Sequence, residues 1–211
     1  MSSLRVTKLV FALGILGVLC SGPVTAAAAN KGGTAGQAFM VTTGHTSQPI
    51  GHYDFCQRYA RECSIRTTAP ARVRLTPELW NELVKVNASV NIEITPATDE
   101  EVYGVPEYWA YPTTRGDCED VVLLKRRDLI ELGWPVSALL ITVVRQKNGE
   151  GHAVLTVATD RGDLVLDSLQ PLVKAWNDTD YQYVKRQSQS NTGQWVAIDD
   201  TRTSLVGSVT P

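Results

Sequence analysis

Three residues of this sequence have the types needed for nucleophilic catalysis: a cysteine, a histidine and an aspartate. Cys118 lies in RGDCED, His152 in GEGHAV and Asp167 in DLVLDS. In such a set a thiolate attacks a carbonyl carbon, an imidazole takes the thiol proton, and a carboxylate orients the imidazole. Each residue alone also has an ordinary structural explanation: core packing for the cysteine, a strand end for the histidine and turn chemistry for the aspartate.

The strand pattern predicts that His152 and Asp167 lie side by side. HAVLTVAT and DLVLDS alternate as strands and are joined by the turn DRGD. Antiparallel neighbours joined by a short turn bring the start of one strand close to the end of the next. The stretches ALLITVVR, YQYVKRQ and QWVAI predict three further strands. His45 and His52 fall in an N-terminal arm, far from any predicted strand pair.

Cys118 is predicted to open a helix. Asp117 is a suitable cap, Asp120 follows three residues later as in a capping box, and Gly133 and Pro135 end the segment. On a helical projection Cys118 shares the inward face with four apolar residues (Val121, Val122, Leu129 and Leu132). Lys125 intrudes on that face and must extend to solvent or find a partner.

The remaining segments predict helices that precede the sheet. Residues 30–52 are rich in small and polar residues and predict an irregular arm with one short strand around AFMVT, and residues 53–63 predict a helix. Thr76 and Pro77 begin a second helix, with an apolar face of Leu79, Leu83, Val86 and Val90. Residues 95–116 predict a long ordered loop. The fold class is therefore α+β, with N-terminal helices packed on an antiparallel sheet.

The first 29 residues have the pattern of a secretory signal peptide: a basic start, a short apolar run and small residues before cleavage. One domain over residues 30–200 and a flexible tail over 201–211 are expected to follow. Loss of Arg5 and Lys8 with the leader changes the formal charge from −2 to −4. The basic residues are scattered, which excludes a nucleic-acid-binding surface. The sequence after the leader contains no second long apolar run, so no membrane span is predicted in the mature chain.

Cys56 and Cys63 form a candidate disulfide in an exported protein. Within one unbroken helix their spacing would place them about 10 Å apart, which is too far for a bridge. A disulfide therefore requires a helix end or a turn between them, and the alternative is a pair of buried thiols. Pairing of these two would leave Cys118 as the free thiol.

Three stretches resemble the bacterial transglutaminase-like cysteine proteinases, which include the periplasmic LapG-type proteases. They are RGDCEDVVLLKRRDLIELGWP, GEGHAVLTVATDRGDLVLDS and YVKRQSQ, and the likeness extends upstream to SQPIGHYDFCQRYAREC and LTPELW. The resemblance implies a transglutaminase-like, papain-like core with Cys118 as nucleophile, His152 as base and Asp167 as orienting acid. It also implies a periplasmic location, cleavage of large repeat adhesins that control biofilm attachment, and restraint by an inner-membrane receptor.

The same resemblance implies calcium dependence, with Asp117 and Glu119 as candidate ligands and Asp120 as a further one. Calcium binds six or more oxygen atoms, and the remaining ligands are expected from backbone, water or other loops, such as residues 95–116. Without the resemblance, acidic residues in a first helical turn are explained by the helix dipole.

Two other functions use or retain the same framework. A transglutaminase-type acyltransferase would form the same thioester and pass it to an amine instead of water. A binding module that keeps the fold without catalysis is the third alternative, and the intact Cys-His-Asp set counts against it.

Overall fold

The computed structural model describes residues 37–202, which contain nine strands and four α-helices. In chain order the strands are β1 (Thr42–Thr46), β2 (Thr95–Pro96), β3 (Arg115–Gly116), β4 (Leu139–Arg145), β5 (Gly151–Thr159), β6 (Gly162–Leu166), β7 (Lys174–Ala175), β8 (Gln182–Ser188) and β9 (Asn191–Ile198). Seven of them form one antiparallel sheet in the order β1-β9-β8-β4-β5-β6-β7. Strands β2 and β3 form a separate parallel pair.

The four helices are α1 (Ile50–Arg58), α2 (Pro77–Glu93), α3 (Asp99–Tyr103) and α4 (Cys118–Glu131). Helix α2 begins as its sequence predicts, because the Thr76 side chain accepts a hydrogen bond from the Leu79 N–H and Pro77 occupies the first turn. Helix α4 packs against β5 and α2. The α+β class predicted from the sequence, with helices on an antiparallel sheet, is confirmed.

The N-terminal elements lie at different positions from those predicted. The strand is Thr42–Thr46 and not AFMVT, because β1 takes its register from β9, with Thr46 opposite Trp195. Within AFMVT, Met40 is instead a core residue whose N–H donates to the buried carboxylate of Asp163. Helix α1 also begins three residues earlier and ends at Arg58, not at residue 63.

The predicted capping box at the start of α4 is absent. Asp117 is the N-cap residue, but its side chain makes no capping hydrogen bond. The Asp120 carboxylate accepts instead from the Ala110 N–H at 2.7 Å. A tertiary contact with the preceding loop has replaced the local one.

Residues 95–116 are more regular than the predicted loop. Their two ends pair as β2 and β3, where the Ala97 N–H donates to the carbonyl of Gly116 at 3.0 Å. Between them, α3 is capped reciprocally by Thr98 and Glu101. This pairing holds the backbone immediately before Cys118.

Lys125 lies on α4 in the main core and is fully buried. Its Nζ donates to Oδ1 of Asn87 on α2 at 2.7 Å. Burial lowers the pKa of Lys125 to about 7, although the charge of Asp167 opposes this shift. The residue that interrupts the apolar pattern of α4 therefore links two helices through a neutral partner.

The turn after α1 brings Cys56 and Cys63 together in a disulfide, with their Cα atoms 5.6 Å apart. The helix ends between them, as a bridge at this spacing requires.

At the other end of the described chain, Arg202 is bonded to Asp200 and to the carbonyl of Trp176, although the tail is predicted to begin at residue 201. The predicted leader and residues 203–211 lie outside the described part of the chain. None of the helices in residues 37–202 is long and apolar enough to cross a membrane.

Replacement of both Cys56 and Cys63 by serine should lower the free energy of unfolding by about 2 kcal/mol, the loop-closure contribution for so short a loop. Urea denaturation measures this. Dithiothreitol should destabilise the wild-type chain to the level of the double variant and leave the variant unchanged. A variant as stable as the oxidised wild type would contradict the expectation.

Lys125→Met should remove a pH-dependent contribution to the free energy of unfolding. The pKa of an unfolded lysine is near 10.4, so between about pH 7 and pH 10 the unfolded chain holds a proton that the folded chain has lost. Wild-type stability should therefore rise relative to Lys125→Met across this window, by up to about 1.4 kcal/mol per pH unit. Urea denaturation from pH 7 to 10 measures the difference. Lys85→Met, at an exposed position of α2, is the control and should run parallel to the wild type.

Candidate active site

Cys118 occupies the first turn of α4 and is partly buried against the start of β5. Its Sγ accepts a hydrogen bond from the Ala153 N–H at 3.4 Å and donates to Oε2 of Glu119 at 3.0 Å. Among the described cysteines it is the one outside the disulfide. The thiol therefore lies beside the residue that follows His152.

His152 and Asp167 are hydrogen-bonded across the sheet edge, as the strand pattern predicts. His152 Nε2 lies 2.8 Å from Oδ1 of Asp167, and both side chains are buried. Burial alone would raise the pKa of Asp167, but hydrogen bonds from His152, Tyr181 and the Leu169 N–H bring it below its usual value. An ionised carboxylate only accepts, so Nε2 carries the proton and, in a neutral ring, Nδ1 is the basic nitrogen.

Several further groups, which the sequence did not reveal, hold Asp167. Tyr181 donates its hydroxyl to Oδ2 at 2.6 Å, and the Leu169 N–H donates to Oδ1 at 2.9 Å. Two asparagines one turn apart on α2 bind the main chain: Asn87 Oδ1 accepts from the Asp167 N–H, and Asn91 Nδ2 donates to its carbonyl. Asn87 is also the partner of Lys125, so this network connects Asp167 to α4.

Three carboxylates converge beside the thiol: Asp99, Asp117 and Glu119, each with one oxygen within 4.8 Å of the others. Buried Oδ1 atoms of Asp99 and Asp117 have no hydrogen-bond partner. Two of the three predicted ligands, Asp117 and Glu119, are thus together, and Asp99 joins them from α3. The third predicted ligand, Asp120, does not belong to this group. Its Oδ1 accepts a hydrogen bond from the Ala110 N–H, and its Oδ2 lies 3.5 Å from the Tyr103 hydroxyl.

Burial sets the electrostatics of this group. It raises the pKa of Asp117, with the charges of Glu119 and Asp99 adding to the effect, and it also raises the pKa of Glu119. For Cys118, burial and then the Glu119 carboxylate raise the pKa well above its usual range. The dipole of α4 favours a thiolate at this position, and the acidic residues oppose it.

Asp99 was missed because it lies in a segment interpreted as loop. The signal that marks its position is Thr98 followed three residues later by Glu101, a capping-box pattern that predicts a helix start. That pattern places Asp99 in a first turn. Its proximity to Asp117 depends on the β2–β3 pairing, which a two-residue strand does not reveal in sequence.

His52 is buried beside the disulfide and lies on α1, not in an irregular arm as predicted. Trp195 Nε1 donates to its Nδ1 at 3.2 Å, and Gln187 Nε2 lies 3.1 Å from its Nε2. Burial, followed by the charge of Arg126, lowers the pKa of His52 to about 4. Although His52, Cys56 and Cys63 form a potential metal-binding group by position, the disulfide removes both sulfur ligands. His52 is a structural residue.

A cleft of about 580 Å³ opens above the thiol. Cys118, His152 and Asp117 lie along it, together with apolar atoms from Ile94, Ala97 and Val121. A carbonyl bound there could be attacked by Sγ, with a histidine available for proton transfer. The arrangement therefore suits thiol-based acyl chemistry.

The match to a protein family agrees with this chemistry. Residues 42–203 match the bacterial transglutaminase-like cysteine proteinase family, BTLCP. Calcium-bound LapG of Legionella pneumophila is 28% identical, with 59% of this chain and 71% of that chain covered and a TM-score of 0.48. Another LapG structure from that organism is 29% identical, covers 59% and 72%, and has a TM-score of 0.47. An EGTA-treated form is 28% identical, covers 58% and 72%, and also has a TM-score of 0.47.

No curated protein matches the sequence. The family match nevertheless extends over most of the chain and includes Cys118, His152 and Asp167. The chain belongs to the bacterial transglutaminase-like cysteine proteinases and is a cysteine peptidase.

Proposed function

We propose that this chain is an exported, calcium-dependent cysteine endopeptidase that uses Cys118, His152 and Asp167. The observation that carries the proposal is the pair of hydrogen bonds at the sheet edge. The thiol accepts from the N–H next to His152, and the His152 ring is bonded to Asp167. These contacts support the proposed roles of Cys118 as nucleophile, His152 as base and Asp167 as orienting acid.

The proposed reaction begins with attack of Cys118 Sγ on the scissile carbonyl carbon while the thiol proton passes to His152 Nδ1. The C–N bond then breaks, the leaving amine takes that proton, and a thioester remains on Sγ. Water adds to the thioester with His152 as base and releases the carboxylic acid and the free thiol. Asp167 stabilises the imidazolium, and the backbone N–H of Cys118, at the N-terminus of α4, can stabilise the oxyanion.

The proposed substrate is a protein segment in extended conformation, because the cleft is open and lined by both apolar and polar groups. The family resemblance supports a large repeat adhesin whose cleavage controls biofilm attachment. It also supports a periplasmic location and an inner-membrane receptor that restrains the enzyme. The predicted signal peptide agrees with that location.

Cys118→Ala should abolish cleavage of a large adhesin encoded near this gene, because no other group in the site can form the thioester. The purified wild type and variant are incubated with the N-terminal region of the adhesin, and the products are separated by electrophoresis. Full cleavage by the variant would overturn the mechanism. Incorporation of an amine into a glutamine substrate, without peptide cleavage, would instead identify the enzyme as an acyltransferase.

The three converging carboxylates fit a bound calcium ion. Carboxylate oxygens are the ligands this hard cation prefers, and the two buried oxygens without hydrogen-bond partners, on Asp99 and Asp117, offer lone pairs to it. Asp99, Asp117 and Glu119 would hold the ion. When bound, it supplies positive charge that offsets the acidic residues around the thiol, while the residues themselves fix the loop before α4.

Asp99→Asn should weaken calcium binding by at least tenfold, because a charged ligand becomes neutral. The amide oxygen can still accept the Tyr108 N–H that Asp99 accepts now, so the fold should survive. Isothermal titration calorimetry with calcium chloride measures the affinity, with magnesium chloride for comparison. Glu100→Gln, one residue away on the exposed side of α3, is the matched control. Equal affinities in the two variants would remove Asp99 from the site.

Chelation provides the activity test of the same site. Exhaustive treatment with EGTA should reduce adhesin cleavage while circular dichroism still reports a folded chain, and added calcium should restore turnover. Unchanged turnover after chelation would remove calcium from the proposed function. It would leave the cysteine mechanism in place.

A further inference from the structure

Tyr181 contacts both the proposed base and the proposed orienting acid. Its hydroxyl donates to Oδ2 of Asp167 at 2.6 Å, and its ring lies against the ring of His152 with centroids 5.6 Å apart. It immediately precedes β8 and belongs to neither partner's strand. One side chain therefore contacts both the start of β5 and the residue that follows β6.

The hydroxyl fixes a degree of freedom that the other contacts leave open. Oδ1 of Asp167 accepts from His152 Nε2 and from the Leu169 N–H, so both of these bonds are on one oxygen. A carboxylate rotates readily about its terminal torsion, which is broad and roughly twofold. A donor on Oδ2 sets the plane of the group, and with it the direction from which His152 must approach.

The charges favour this arrangement. Burial and the neighbouring Asp167 carboxylate raise the pKa of Tyr181 above its usual range, so the phenol keeps its proton. The hydrogen bond from Tyr181 is among those that lower the pKa of Asp167. Asp167 thus stays ionised and accepts a hydrogen bond from the His152 ring without taking its proton.

The backbone of Tyr181 is anchored from behind. Its carbonyl accepts from Nη2 of Arg202 at 2.8 Å, and the same nitrogen lies 2.8 Å from Oδ2 of Asp200. The ring also packs against a cluster of buried apolar residues separate from the main core, which includes Tyr183 and Trp176. The hydroxyl is therefore held in place by contacts that do not involve the reacting groups.

We propose that Tyr181 is a positioning residue for the peptidase reaction: its hydroxyl holds the Asp167 carboxylate in the plane that keeps His152 oriented toward Cys118. This inference rests on the proposed function of the Cys118, His152 and Asp167 set. It assigns Tyr181 no contact with the substrate or with the reacting atoms. Its effect passes through Asp167 and His152.

Tyr183 supplies a matched control two residues further on. It is also a tyrosine of this strand region, and its hydroxyl lies 3.0 Å from the Thr179 hydroxyl while its ring packs against Trp176. Neither contact is made with Asp167, whose charge acts on Tyr183 without a hydrogen bond. Tyr181→Phe and Tyr183→Phe each remove one oxygen and keep the ring, so their structural costs should be similar.

The first arm of the experiment measures kcat and KM for cleavage of the adhesin N-terminal region. Tyr181→Phe should lower kcat roughly tenfold, the loss expected from one hydrogen bond to a charged group, and change KM less than about twofold. Tyr183→Phe should leave both parameters near wild-type values. Equal kcat values in the two variants, or an effect on KM alone, would overturn the inference.

The second arm does not depend on turnover. The chain contains only three histidines, so the ring N–H signal of His152 can be assigned in a nitrogen-15 spectrum by comparison with His152→Gln. Tyr181→Phe should shift this signal and speed its exchange with water, and Tyr183→Phe should not. An unchanged signal in Tyr181→Phe would overturn the positioning role.

The two arms separate the inference from the proposed function. If the wild type cleaves no adhesin, the proposed substrate fails, and the His152 signal still decides whether Tyr181 orients the pair. If the wild type cleaves and Cys118→Ala does not, the mechanism stands. The comparison of the two phenylalanine variants then decides the role of Tyr181.

Discussion

The first turn of α4 is the constraint on which the rest of the site depends, because it buries carboxyl groups around the proposed nucleophile. Asp117 and Glu119 flank Cys118, and Asp99 approaches them from α3. Removing charged carboxylates from water is costly unless they are paired or coordinated. The same turn must also present Sγ to the start of β5. The β2–β3 pair and the capped helix α3 serve both needs, since they fix the backbone before Cys118 and bring Asp99 to the group.

The opposite side of the cleft is organised by hydrogen bonds and not by unpaired charge. Asp167 is bound through its carboxylate by three donors and through its main chain by Asn87 and Asn91. Asn87 in turn accepts from Lys125, whose helix begins at Cys118. Asp167 is thus linked through a polar path inside the core to the helix that begins at Cys118. Buried hydrogen bonds of this kind favour one arrangement of the elements they join.

The sequence predicted the parts of the fold that depend on local pattern. Helix α2 follows from Thr76, Pro77 and the apolar spacing, and the closeness of His152 and Asp167 follows from two strands and a short turn. It did not predict features that depend on distant partners. Strand β1 takes its place from pairing with β9, and Asp120 is drawn from its expected cap position to the N–H of Ala110. Asp99 could not be assigned to the carboxylate group, because the parallel pairing that brings it there involves two strands of only two residues each.

Buried aspartates of the same chemical type have different roles here because their partners differ. Asp163 accepts from Arg72, Arg186 and the Met40 N–H, and so joins the N-terminal segment to the sheet. Asp167 accepts from His152, Tyr181 and Leu169, and these donors keep it ionised and oriented. Asp99 and Asp117 each keep a buried oxygen without a donor. A carboxylate with its donors in place stabilises the fold or orients a neighbour, whereas one with a buried free oxygen is suited to bind a cation. The hydrogen-bond donors that reach each carboxylate, and not residue type or spacing, therefore separate the proposed metal ligands from the proposed orienting acid, Asp167.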